Sequence, residues 1–509
     1  MLTPEPRRPV VLAGFRITSA CGRSLPPFIP LSPTGTARPP GAYLHLSSNL
    51  PATLRCDRRY GGRHCHAGKG VPTISSRSPT ARPEAAPAGT CLRECPDCGL
   101  FLRLPALDRG TVARCPRCAA VLRRHRTDPQ GRALAFAVTG LLLLALATQM
   151  PFLSLDIAGR AQATVLLSGP EALEGQGLWE LALVVLATTV IVPLAKLLCL
   201  AWVLVGLRLR RPPRHLSAVF RWVERLTPWA MVEVFMLGLF VAYTKLVDLA
   251  HVELGAAVYA LGGLMLAMAA ADAVLDHEQI WEAIARRTAQ ASPPAPPSAG
   301  GPGHPGLRRI GCHTCGLVCR APEAAPCPRC GGRLHARKPH PLSRTWALVI
   351  AATILYIPAN LLPVMTVINF GQGAPDTILS GVEELAAAGM WPLAALVFFA
   401  SITVPVLKLA SLVWLLISTG RGQATRLRER TLLFRIVDAV GRWSMIDVFM
   451  VSILTAIVRL GAIASVVPGP GVLAFCAVVI LTMLAAETFD PRLMWDVAAR
   501  RDGTGREAA

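Results

Sequence analysis

The sequence predicts an all-α polytopic membrane protein of two tandem parallel repeats, each a cytoplasmic four-cysteine ribbon followed by four transmembrane helices, eight in total. Three observations predict it: eight long apolar runs, two pairs of Cys-x-x-C knuckles, and a near-constant spacing that carries one half of the chain onto the other. Composition agrees. Of 509 residues, 52% are hydrophobic and 16% charged, against about 25% charged in an average soluble protein. That balance disfavours a soluble enzyme, a coiled coil and a disordered chain. The formal net charge of +21 reads, in so apolar a chain, as the cytoplasmic side of a membrane rather than as a nucleic-acid footprint.

Residues 1–90 come first and differ from the rest. They hold 14 Pro and 12 Lys or Arg against 3 acidic residues, with no helical or strand period. A disordered basic arm is the expectation. A first ribbon at 91–127 follows, then a membrane domain at 128–288 with apolar runs 133–153, 178–207, 228–250 and 254–275. Each run meets the ~20 residues a bilayer-spanning helix needs. A Pro/Ser/Gly/Ala linker occupies 289–306, and a second ribbon 307–340. The second membrane domain, 341–500, carries runs 345–368, 390–418, 443–467 and 472–489, and a tail closes the chain at 501–509.

Charge orients the spans. Arg123, Arg124 and Arg126 precede the first, Arg208, Arg210, Arg211 and Arg214 separate the second and third, and Arg286 and Arg287 follow the fourth. Arg421, Arg426, Arg428 and Arg430, then Arg500 and Arg501, repeat this in the second half. Loop 369–389 has no Lys or Arg, and loop 154–177 has one. The positive-inside rule therefore puts both termini in the cytoplasm and these loops outside. Trp179 and Trp391 stand at the outer ends of their helices as interfacial anchors, and segments 164–177 and 377–389 are amphipathic enough to lie on the outer surface or to dock a partner.

Adding 212 carries Cys115 and Cys118 to Cys327 and Cys330, Pro151 to Pro363, and Ser168-Gly169 to Ser380-Gly381. It also carries Trp179, Pro193 and Lys196 to Trp391, Pro405 and Lys408. After a two-residue slip, adding 214 carries the segment from Trp229 to Met236 onto that from Trp443 to Met450. An even number of spans per repeat makes the repeats parallel, related by an axis along the membrane normal.

The cysteines decide the ribbon chemistry. Cys95, Cys98, Cys115 and Cys118 form one double knuckle, and Cys312, Cys315, Cys327 and Cys330 the other. Two knuckles close a tetrahedral four-thiolate site with no open coordination position, the pattern of a structural zinc ribbon. The spacing alone admits iron as well. Reduced cytoplasmic thiols argue against disulfides. Cys21, Cys56, Cys65, Cys91, Cys199, Cys319 and Cys476 lack such pairing.

Ionisable groups at bilayer depth are functional candidates by default. Ser401 and Lys408 share a helix face, as do Ser444 and Asp447, and Thr482 sits mid-span in the eighth helix. One economical arrangement pairs Lys408 with Asp447 and lets the three hydroxyls complete an intramembrane network. The same residues also describe a static hydrogen-bonded joint. The first repeat keeps Thr189, Lys196 and Glu233 but has Ala230 and Met268 where the second has Ser444 and Thr482. The second repeat is thus the richer candidate site. Pro193 and Pro405, three residues before the lysines, are expected to kink their helices.

A double ribbon with four spans apiece, Ser-Gly ahead of the second span, Pro-x-x-Lys inside it and the segment Trp443-Ser444-Met445-Ile446-Asp447-Val448-Phe449 resembles the paraquat-inducible protein A (PqiA) family, including LetA/YebS-type intermembrane transport proteins. The resemblance covers about residues 91–500. It implies an inner-membrane protein of Gram-negative bacteria, working with an MCE-domain protein that forms a periplasmic tunnel, and a role in phospholipid transport between membranes. Residues 1–90 depart from the family pattern. No P-loop, triad or open metal site points to an enzyme, and no nucleic-acid partner is expected. The alternative is a non-transporting membrane scaffold, or an oxidative or envelope stress sensor whose ribbon thiolates are redox-labile.

Overall fold

The computed structural model describes residues 91–291 and 308–501, apart from 106, 109, 125, 127, 158–159, 248–250, 370–371 and 459–463. The expected basic arm, all but three residues of the linker and nearly all of the tail lie outside the described residues.

The first ribbon is two antiparallel hairpins, β1 (Cys91–Glu94) with β2 (Phe101–Leu104) and β3 (Val112–Arg114) with β4 (Val121–Arg124). Then come α1 (Pro129–Gln149), β5 (Leu153–Ile157), β6 (Arg160–Thr164), the short α2 (Ser168–Glu174) and α3 (Trp179–Leu186). A π-helical turn at Ala187–Ile191 joins α3 to α4 (Val192–Gly206), followed by α5 (Leu216–Leu226), α6 (Val232–Val247), β7 (His251–Leu254), α7 (Ala256–Val274) and α8 (His277–Ala291).

The second repeat reproduces this order. Its ribbon holds the hairpin β8 (Arg308–Gly311) and β9 (Val318–Ala321), with an isolated bridge between Pro326 and Arg333. Next come α9 (Pro341–Leu361), β10 (Met365–Asn369), β11 (Gln372–Asp376), α10 (Ile378–Ala387) and α11 (Trp391–Phe398). A π-helical turn at Phe399–Thr403 leads into α12 (Val404–Gly420) and α13 (Leu427–Val440). A 3₁₀ segment, Gly441–Met445, precedes α14 (Ile446–Ile457), β12 (Ala464–Pro468), α15 (Pro470–Thr488) and α16 (Arg492–Arg501). Among the described residues, eight helical stretches are long and apolar enough to cross a membrane, in agreement with the eight runs.

Two features differ from the sequence reading. The first, fifth and seventh runs were expected to reach 153, 368 and 467, but α1, α9 and α14 end at Gln149, Leu361 and Ile457, and Leu153, Met365 and Ala464 open strands. At the end of the helices away from the ribbons, each repeat builds a three-stranded antiparallel sheet, ordered β6-β5-β7 and β11-β10-β12. The strand Leu-Ser-Leu-Asp-Ile at 153–157 has the period of two of a half-buried strand, but the apolar run before it masks that signal. The third and seventh spans also begin earlier than expected, on the amphipathic helices α5 and α13.

Small side chains set the helix spacing. α1 buries Ala133, Ala137, Gly140, Leu144 and Ala147, one face at alternating steps of four and three, and packs it on α7. α9 and α15 pair in the same way in the second repeat. Leu142 and Leu266 on the opposite faces are exposed, as lipid-facing positions would be. Proline at the second position of α4 and α12 has no N–H, and its ring excludes the carbonyl four residues back, that of Thr189 or Ser401. The π turns absorb this with wider bonds, Val192 N–H to the Ala187 carbonyl and Val404 N–H to the Phe399 carbonyl.

The repeats meet along α6 and α14. Gly238 of α6 lies where a Cβ would come within 3.0 Å of the Phe449 Cβ and 3.1 Å of the Ile446 carbonyl oxygen. Every residue of α14 is buried, so this helix forms the centre of the bundle. Gly255 and Gly469 cap α7 and α15 against the carbonyls of Pro151 and Pro363, which a Cβ at either position would overlap. Gly469→Ala is therefore expected to cost about 1–3 kcal/mol or more, read as a fall in thermal midpoint of the purified protein. Gly381→Ala, with nothing within 4 Å of the new carbon, should leave the midpoint unchanged apart from helix propensity.

Candidate metal centres and a buried polar cluster

In each ribbon the turn after the second cysteine of a knuckle is left-handed. Gly99, Gly316 and Gly331 have φ of 70°, 68° and 70°, and Ala119 takes φ of 60°. Each closes the knuckle by donating its N–H to the first cysteine's carbonyl, as Gly99 does to Cys95 at 3.0 Å and Gly316 to Cys312 at 2.9 Å. The result is two sets of four buried thiols, each with its sulfurs within 4.8 Å of one another. Cys95 and Cys118 sulfurs are 3.5 Å apart, Cys98 and Cys115 3.6 Å, Cys312 and Cys330 3.5 Å, and Cys315 and Cys327 3.6 Å. That is far beyond a disulfide's ~2.05 Å and close to the ~3.8 Å edge of a tetrahedron with ~2.3 Å metal–sulfur bonds.

The donor set also suits a cation. Without one the four thiols cannot ionise together: the hydrogen bond with Cys98 pulls Cys95 down to about 5, and the same contact pushes Cys98 up. A divalent ion removes that conflict. Cys91 and Cys319 stand outside both sets, contacting Arg123 and the Ile310 carbonyl instead.

Both ribbons dock on the end of the second repeat through buried charges that the sequence reading did not single out. Arg492, 4% exposed, donates to Glu94 at 2.9 Å and to Asp490 at 2.9–3.0 Å. Arg337 joins Glu94 at 3.1 Å and clasps Asp496 at 2.6 and 2.8 Å. Glu94 also accepts from the Gly311 N–H at 2.9 Å, so one carboxylate ties ribbon to ribbon and both to α16. Burial pushes Asp490 up, but the Arg492 hydrogen bond and charge outweigh it and hold the carboxyl below its usual range. His313, beside Arg492, is held down to about 4 by burial and then by that guanidinium. The signal available in the sequence was Asp490-Pro491-Arg492 directly after an apolar span. Arg492→Ala leaves Asp490 buried without its guanidinium, while Glu94 keeps Arg337 and the Gly311 N–H, so a loss at or below the about 3–5 kcal/mol of a broken buried pair is expected. Proteolysis that is faster at the ribbons than within the spans would report it.

Ser401, Lys408, Ser444, Asp447 and Thr482 are all buried. Lys408 lies on α12, Ser444 on the 3₁₀ segment, Asp447 in the first turn of α14 and Thr482 on α15, and these elements pack on one another. The economical Lys408–Asp447 pairing is not formed. Lys408 Nζ makes no hydrogen bond to any described residue and lies against Gly441, where a Cβ would be 2.7 Å from it. Asp438 interacts with it electrostatically from the α13 side. The Ser401 and Ser444 hydroxyls likewise lack hydrogen-bond partners, while Thr482 donates to the Val479 carbonyl of its own helix at 2.9 Å.

The first repeat resolves its lysine differently. Lys196 Nζ donates to Asp272 at 2.7 Å, a carboxylate of α7 that the sequence reading missed. Glu233 is exposed and plays no part in that bond. Thr189 donates to the Val185 carbonyl at 2.7 Å. Adding 214 to Asp272 gives Ala486, so the second repeat has deleted the counter-ion of its lysine.

Fold and sites together define a polytopic helical membrane protein of two like repeats, each headed by a buried four-cysteine group fit to hold a metal ion. The paraquat-inducible protein A family model matches residues 131–285 and 342–499, and the chain belongs to that family. It is 35% identical to the intermembrane transport protein PqiA of Escherichia coli K12 over 79% of this chain and 95% of that one. It is 33% identical to the lipophilic envelope-spanning tunnel protein A of the same organism, over 83% and 95%. A probable intermembrane transport protein of Haemophilus influenzae is 27% identical over 80% and 96%. No solved structure matches.

Proposed function

We propose that this chain is the inner-membrane component of an intermembrane phospholipid transport system, passing lipid to or from an MCE-domain tunnel across the periplasm. The observation that carries this reading is the match over 95% of the length of relatives named as intermembrane transport and envelope-spanning tunnel proteins. The arginine-rich loops support an orientation with ribbons and both termini in the cytoplasm, where reduced thiolates hold zinc as two structural four-cysteine sites. The outer sheets then face the periplasm, on the side where a tunnel would dock. Ser401, Lys408, Ser444, Asp447 and Thr482 form the working polar network of the second repeat. Ser401, Lys408 and Ser444 lack hydrogen-bond partners among the described residues, and such groups are costly inside a membrane bundle and are kept where they handle substrate or protons.

The test is co-purification of the full chain from native membranes, with mass spectrometry of the lipid and protein that accompany it. Bound phospholipid together with an MCE-domain protein is the expected result. Recovery of neither would remove the reading.

A further inference from the structure

A cavity of about 570 Å³ opens beside Lys408, at the ribbon-side end of the second repeat. It falls in the size range of small-molecule sites, and both ribbons and both repeats contribute to its wall. Four of the eight Asp, Glu, Lys and Arg residues lining it are bound to one another or to described neighbours. Asp97 is held by Arg435 at 2.6 Å, Asp490 and Arg492 hold each other, and Lys338 Nζ donates to the carbonyls of Glu487 and Phe489. Lys408 is not: the residue lines the cavity and is 3% exposed, and its Nζ lies buried just behind the wall with no hydrogen bond to any described residue. Asp438 and Glu487, both exposed, stand on the wall with the half-buried Arg442, and Phe434 and Met483 are apolar neighbours.

The comparison between repeats says what is missing. Lys196 carries its own counter-ion, Asp272, at 2.7 Å. The equivalent position in the second repeat is Ala486, which lines the cavity. An ammonium buried without a partner costs several kcal/mol, and here the internal carboxylate has been replaced by open volume. An external anion fits that vacancy of charge. The anion must also tolerate Asp438 and Glu487, which a bare anion would meet as repulsion and a zwitterion would meet as a second contact.

We propose that this cavity binds a zwitterionic phosphate–ammonium headgroup of a phospholipid, with the phosphate on Lys408 and the ammonium toward Asp438 and Glu487. The assignment rests on the transport reading for its choice of a lipid over a soluble phosphate ester. It needs no transport to be measured.

The experiment is equilibrium binding by native mass spectrometry on the full chain in detergent. The probes are phosphatidylethanolamine, phosphatidylglycerol, and the soluble competitors glycerophosphoethanolamine and inorganic phosphate. The unaltered chain is expected to prefer phosphatidylethanolamine at least ten-fold over phosphatidylglycerol. Ala486→Asp, which gives Lys408 the counter-ion that Lys196 has, is expected to weaken that binding at least ten-fold. Lys408→Met should do the same by removing the cation. The double variant Asp438→Asn, Glu487→Gln should shift preference toward phosphatidylglycerol. Metal content and monodispersity identify any variant that fails to fold, and the remaining variants then decide.

Ala486→Asp and Lys408→Met binding like the unaltered chain would overturn the site. Displacement by glycerophosphoethanolamine or phosphate with no lipid retained would overturn the lipid assignment. A chain that binds as described but moves no lipid between vesicles would remove the transport reading alone. A chain that moves lipid while Ala486→Asp binds normally would remove the site alone.

Discussion

Cys98→Ser or Cys315→Ser is expected to reduce the metal bound per chain from two ions to one and to unfold the affected ribbon. Each ribbon consists of strands of three or four residues, and hairpins of that length are marginal at best in water. The buried residues of the first ribbon are the four cysteines and little more than Leu104, Ala120 and Leu122. Beyond its docking contacts, the ribbon's folding free energy is expected to come from a bound metal ion, for which apparent values of about 10–16 kcal/mol are typical of structural zinc. Elemental analysis gives the stoichiometry and identifies zinc or iron, and iron would also show as visible absorbance. Cys91→Ser and Cys319→Ser should keep both ions, since neither thiol belongs to a set of four. The damage should spread. Losing the first ribbon withdraws Glu94 from Arg337 and Arg492, so the second ribbon should loosen from α16 while keeping its own ion.

The ribbons were legible in the sequence because a tetrahedral ion demands ligands at short, fixed spacings, and Cys-x-x-C twice over leaves few other readings. The spans were legible because a bilayer demands long apolar runs. The outer sheets were not, because five-residue strands such as Leu153–Ile157 abut those runs and share their apolarity. The Lys196–Asp272 bond was missed for a different reason. Its partners are 76 residues apart, and Asp272 sits near the end of its span, where a charge needs no explanation. Repeat symmetry pointed to Glu233 because it aligns with Asp447, yet the structure exposes the one and buries the other. An alignment of repeats identifies equivalent positions. It does not say that the two halves still do the same work, and the exchange of Asp272 for Ala486 is where they part.

That divergence sets the second large effect. Lys408→Ala and Asp447→Ala are each expected to abolish lipid transfer in vesicles reconstituted with the tunnel partner, while Lys196→Ala reduces it mildly. Lys196 is neutralised within its own repeat, and its partner is 39% exposed, so removing the lysine leaves a carboxylate that water or headgroups can reach. The cost should stay well below that of an orphaned buried charge. Lys408 has no such partner among the described residues and lies against Gly441, in the 3₁₀ segment that leads into the fully buried α14, on which Asp447 sits. Removing that ammonium relieves a burial penalty rather than creating one, so the folded state should be as stable as before or more so. Loss of transfer with an unchanged or raised thermal midpoint is thus the signature of a working group, and loss of both together is that of a structural joint. Ser401→Ala and Ser444→Ala extend the comparison. Their hydroxyls lack hydrogen-bond partners among the described residues, so an effect on transfer larger than any effect on stability would mark them as members of the same network. Normal transfer by Lys408→Ala at normal expression would end the case for a second-repeat site.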